Sequence, residues 1–106
     1  MENTKPKTTA TYKELANKLE PRLKFLANFK IGKTGQKIKD KYNQEYRDKY
    51  EYYEEIGYSA TAENIDEFEI FLLNRYHSLS NCDNYPTAGE DMRKSKRYIV
   101  YIVFNI

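Results

Sequence analysis

The chain has 106 residues, 32% of them charged, and a net charge of only +2. That length holds one hydrophobic core and excludes a second, and so small a net charge leaves the local placement of lysine and arginine to argue for or against a polyanionic partner. A single cysteine, Cys82, excludes an intrachain disulfide and fits a reducing compartment. With no apolar run near the roughly 20 residues of a membrane span, the expectation is a cytoplasmic domain without a membrane partner.

Tyrosine is the compositional outlier, with 11 residues against no tryptophan. Its apolar ring and polar tip suit both core packing and the lining of a wet groove. Residues 1–10 are polar, with Lys5-Pro6-Lys7, and read as a flexible arm ahead of a single domain over residues 11–106. Thr11 and Glu14 have capping-box spacing, which predicts a helix starting there with Tyr12, Leu15, Ala16 and Leu19 on one face. Pro21 should end or kink it and open a second helical stretch carrying Leu23 and Leu26.

Phe29 to Lys33 reads as a short strand, and Thr34-Gly35-Gln36 as the turn out of it. A helix is expected over about Lys37 to Tyr50, with Ile38, Tyr42, Tyr46 and Tyr50 or Tyr53 on one stripe and a lysine-rich face between them. Glu55 to Ser59 forms the next strand, with Tyr53 as an earlier start. The third helix runs from Ile65 to Tyr76, capped by Thr61 or Asn64. Ile65, Phe68, Leu72, Leu73 and Tyr76 make its inward stripe. At about 100° per residue Glu69 falls in the middle of that stripe. A carboxylate there is costly unless it meets a cation, a metal or amide donors, and a lysine of the nearby strand, Lys30 or Lys33, is one such partner.

Residues Ser78 to Lys96 show no periodicity and hold Asn81, Cys82, Pro86 and Gly89, and a basic cluster of Arg93, Lys94, Lys96 and Arg97 stands just before the last element. Long unpatterned loops in small domains are functional or disordered. Tyr98 to Phe104 is apolar on both alternating faces, which predicts a central strand covered on both sides. The fold class is therefore α+β, a small, mainly antiparallel three-stranded sheet flanked by helices.

Gly32-Lys33-Thr34 invites a phosphate-loop reading, but Ala27 stands where that motif needs its first glycine, inside a predicted helix. One histidine, His77, and one cysteine cannot assemble a zinc set or a triad; His77 fits a helix end.

The remaining constellation resembles the GIY-YIG nuclease superfamily, in the branch whose second signature reads Lys-Ile-Gly-Lys-Thr, as Lys30 to Thr34 do here. Phe68-Glu69-Ile70-Phe71-Leu72-Leu73 is similar to that family's Leu-Glu-x-x-Leu-Ile helix, and Asn81 lies about where the family has its asparagine. The resemblance, over about Phe29 to Asn84, implies a GIY-YIG-like fold and metal-dependent hydrolysis of phosphodiester bonds in DNA or RNA. It implies Glu69 as ligand to Mg²⁺ or Mn²⁺, with Lys41, Tyr42, Tyr101 and Asn81 as catalytic positions. Nucleic acid would be held by Lys30, Lys33, Lys37, Arg93, Lys94 and Arg97. Two departures bear on catalysis. The family's leading Gly-Ile-Tyr strand has no counterpart before Phe29, so Tyr98 or Tyr101 of the last strand would fill its slot in a permuted sheet. Lys41 stands where the family has arginine, supplying charge without the bidentate fork. The alternatives are a catalytically inactive domain that binds nucleic acid, and a virus-encoded effector that binds a host protein in the host cytoplasm.

Overall fold

The computed structural model describes residues 9–84, 92 and 94–106. Six elements run in the order α1 (Thr9–Leu23), β1 (Asn28–Thr34), α2 (Ile38–Glu45), β2 (Tyr52–Ser59), α3 (Ala62–Tyr76) and β3 (Tyr98–Asn105). The class is α+β. The three strands form one sheet in the order β1-β3-β2, and β3 is antiparallel to both neighbours. The last strand in sequence is thus the middle strand in space, with Ile31 opposite Ile102 and Gly32 opposite Tyr101.

The composition of β3 explains its position. Only its terminal Asn105 escapes full burial, because successive side chains enter two different cores. Tyr98, Val100, Ile102 and Phe104 pack with α1 and α3, while Ile99, Tyr101 and Val103 pack with Tyr46 and Tyr50 beyond α2. β-branched residues that are apolar at every position satisfy such a strand and would be poorly hidden at an edge. β2 shifts register between Glu55 and Gly57, a bulge of the kind that bends an edge strand.

The helices differ from the sequence expectations in three places. α1 is one helix from Thr9 to Leu23, with Pro21 inside it and Thr11 within its first turn rather than capping it. Proline there costs one backbone bond two residues before the helix ends, so the helix need not break earlier. Two turn bonds, Phe25 N–H to Arg22 and Leu26 N–H to Leu23, then carry the chain into β1, and no second helix forms. α2 stops at Glu45, short of Tyr50, yet Tyr46 and Tyr50 are still buried because consecutive turns over residues 46–50 continue the same face. α3 starts at Ala62, with the Thr61 hydroxyl capping the Asn64 N–H, so of the two candidate caps it is Thr61. His77 ends that helix, as expected.

The outer edge of β1 is closed by residues 81–84. Phe29 N–H donates to the Asn81 carbonyl at 2.9 Å, and Asp83 N–H donates to the Phe29 carbonyl at 2.8 Å. One step further, the Asn84 side chain takes over from backbone. Its Oδ1 accepts from Ile31 N–H at 2.8 Å and its Nδ2 donates to the Ile31 carbonyl at 2.7 Å. The carboxamide imitates a peptide group of a further strand, leaving neither polar group of Ile31 unpaired. Among the described residues no helix is long and apolar enough to cross a membrane.

Candidate functional site

Two side chains from neighbouring elements define the centre. Glu69 lies in the apolar stripe of α3, between Ile65 and Leu73, and is 2% exposed. Lys33, on edge strand β1, points to the same side of the sheet as Ile31 because side chains alternate along a strand. Its Nζ lies 2.7 Å from Asp66 Oδ1 and 3.5 Å from Glu69 Oε1, with the lysine side chain 7% exposed. Asp66 and Glu69 are three residues apart on α3 and so project together. The ammonium bridges an outer carboxylate, Asp66, and an inner one, Glu69. Burial lowers the basicity of Lys33, but the bond to Asp66 and the charges of Glu69 and Asp66 more than offset this and leave it above the ordinary lysine value.

The second group lies on the opposite face. Tyr101, 1% exposed, shares a hydrogen bond of 2.7 Å with the Tyr46 hydroxyl. Gly32 permits this arrangement: a Cβ at Gly32 would stand 2.3 Å from the Tyr101 hydroxyl oxygen, closer than any side chain tolerates. Burial is the main cause pushing the Tyr101 phenol far above its usual range, followed by Tyr46 and the charges of Glu45 and Glu69. Tyr46 is raised as well, again chiefly by burial. Each hydroxyl is thus occupied by the other within the core. Among the described residues every buried side-chain nitrogen or oxygen has a partner.

The other candidate residues are engaged elsewhere. Asn81 Nδ2 donates to the Leu23 and Leu26 carbonyls, closing the end of α1. Lys41 pairs with Glu45 one turn on, at 2.7 Å. The Tyr42 hydroxyl donates to the Tyr50 carbonyl, and its ring packs on Tyr53. Arg97 forms a two-pronged pair with Glu55, at 2.7 and 2.9 Å, and stacks over Tyr58. Lys30 lies over the Tyr46 ring, while Lys37 and Lys94 are exposed. Arg93 and most of the expected arm, residues 1–8, lie outside the described residues.

Of the two tyrosines considered for the missing strand's slot, Tyr101 lies against Gly32, while Tyr98 is on the α3 face that Glu69 occupies and accepts from Ser95 N–H at 2.9 Å. Three contributors were not singled out by sequence reasoning. Asp66 sits one turn before Glu69, outside the apolar stripe. Tyr46 was counted as helix stripe. Asn84, rather than Asn81, braces the strand that carries Gly32 and Lys33. The signal for Asp66 was available, since i and i+3 share a helix face. Nothing local distinguishes Asn84 from Asn81.

No protein-family model, curated protein or solved structure matches the chain.

Proposed function

We propose that this chain is a GIY-YIG-like domain directed at the phosphodiester backbone of nucleic acid, and that it binds this backbone rather than hydrolysing it. The observation that carries the reading is the placing of β3 between β1 and β2. With the last strand central and antiparallel to both, a tyrosine lies against the glycine of Lys30-Ile31-Gly32-Lys33-Thr34, and the following lysine reaches a glutamate from the stripe of α3. A strand tyrosine beside that glycine and a glutamate in the α3 stripe support the resemblance in residue type, with Tyr101 and Glu69 on opposite faces of the sheet.

Binding is favoured over hydrolysis by the chemistry of the same groups. Glu69 is buried against an ammonium, the Tyr46 and Tyr101 hydroxyls bond to each other on the opposite face of the sheet, and Lys41 is tied to Glu45. Exposed Lys37 and Lys94 remain for phosphate contacts. Hydrolysis is the second reading, favoured by Tyr98 sharing a face with Glu69.

The test is fluorescence anisotropy with short labelled DNA and RNA, run beside a nicking assay with Mg²⁺ or Mn²⁺. The expected result is binding that falls steeply with salt, a salt slope reduced by about one in Lys37→Ala, and intact substrate throughout. Nicking that requires the metal and is abolished by Glu69→Gln would replace binding with hydrolysis. Absence of any salt-sensitive binding to either nucleic acid, with no cleavage, would end both readings.

A further inference from the structure

We propose that Lys33 supplies, from within the chain, the positive charge that the GIY-YIG resemblance assigns to a divalent ion beside Glu69. The inference rests on the preceding reading only for the expectation of a metal; the replacement is argued from the geometry.

A divalent ion does not fit these residues as they stand. Mg²⁺ takes six oxygens in a near-octahedral shell and keeps several of its waters. Glu69 is 2% exposed, with an ammonium 3.5 Å from its Oε1. The nearby carboxylate Asp66 spends an oxygen on the same ammonium at 2.7 Å. Among the described residues no group of three His, Cys, Asp or Glu side chains comes together that could hold a metal ion. A second cation could enter only by displacing Lys33, whose three N–H donors already meet both acids, against strong repulsion at this range.

The surroundings of Lys33 differ from those of the other described lysines of this region. Lys30 lies over a tyrosine ring, Lys37 is exposed, and Lys41 pairs with an acid that is itself largely exposed. Lys33 alone of these is directed inward, and it arrives where an i, i+3 pair of acids presents one carboxylate to solvent and one to the core. Asp66, 44% exposed, holds the ammonium at the boundary, and Glu69 receives its field inside. A lysine fixed in this way gives a buried carboxylate its counter-charge without recruiting an ion from solution.

The test is a titration of the full-length, ¹⁵N-labelled chain with Mn²⁺ alone, following paramagnetic broadening of the Asp66 and Glu69 backbone amides. In the native chain no saturable broadening should develop at these amides up to millimolar Mn²⁺. Lys33→Ala should gain it, with affinity at least about tenfold above the native chain, because the repelling charge is gone and both carboxylates are released. Lys33→Gln, closer in size, serves if the alanine variant does not fold, and the native titration decides the question if neither does. Saturable Mn²⁺ broadening in the native chain that Glu69→Gln abolishes would overturn the proposal. So would folded Lys33 variants that gain nothing. Neither readout needs nucleic acid or cleavage, so failure of the functional reading and failure of this inference are separately visible.

Discussion

The two faces of the sheet are built on different chemistry. The α1–α3 face is aliphatic and aromatic, with Leu15, Leu19, Phe68 and Leu72 fully buried and one charged cluster, Lys33 with Asp66 and Glu69, at its margin. The α2 face is small and phenolic: Tyr46, Tyr50 and Tyr101 interlock there, and none of the residues of α2 itself is buried. On the first face stability comes mainly from area removed from water, with the buried carboxylate Glu69 met by Lys33 and tyrosine hydroxyls such as that of Tyr76 bonded at the rim. On the second, much of the buried surface carries hydroxyls, each of which needs a partner. The comparison teaches that β3 stands between a mainly aliphatic core and a phenolic one, and that among the described residues the buried charge, Glu69, is met by a lysine.

The largest effect that would sharpen this contrast is Phe68→Ala. It empties the middle of the aliphatic core and should cost about 3–5 kcal/mol in urea denaturation. On the phenolic face, Tyr46→Phe removes no volume of consequence but leaves the Tyr101 hydroxyl without its described partner. It should cost about 1–3 kcal/mol, and Tyr46→Phe with Tyr101→Phe should cost less than the sum of the two single changes. Equal losses for Phe68→Ala and Tyr46→Phe would break the distinction between the faces.

A smaller effect is on pH dependence, to which both faces contribute, since Tyr12 and Tyr76 of the first face are also raised by burial. Tyr46, Tyr50 and Tyr101 all have phenols raised above their ordinary value of 10.0, with burial the largest cause. A group raised in the folded state keeps its full contribution below its unfolded value and loses it as pH climbs towards the folded one. Stability should therefore hold through neutral pH and fall above about pH 10 as unfolded tyrosines ionise first. The fall should be shallower in Tyr101→Phe. An unchanged slope in that variant would show that the phenolic face does not contribute to alkaline unfolding.

Much of this architecture was legible in the chain. A run apolar at every position pointed to a doubly covered strand, and the helical stripe around Glu69 to a buried carboxylate in need of a partner, with a strand lysine among the alternatives; the strand, the burial and the lysine are observed. The extent of α2 was not legible, because tyrosines four apart satisfy a helix and a helix followed by turns equally well. Pro21 misled for a related reason: near the end of a helix its missing N–H costs too little to set the boundary. The engagements of Asn81, Lys41 and Arg97 with Leu23, Glu45 and Glu55 were also hidden. For Asn81 and Arg97 the partner is distant in sequence, and for Lys41 several acids offered the same pairing. Residue type revealed which groups could form a site, but not which were already committed to the fold.

The central claim, that Lys33 is the counter-charge of a buried Glu69, is tested most directly by a double-mutant cycle on stability. Lys33→Met and Glu69→Gln should each destabilise, the former by about 3 kcal/mol or more because a buried carboxylate loses its ammonium. The double variant should recover more than about 1 kcal/mol relative to the sum of the single losses. Strictly additive losses would contradict the account, since they would mean that the ammonium and the carboxylate do not sense each other.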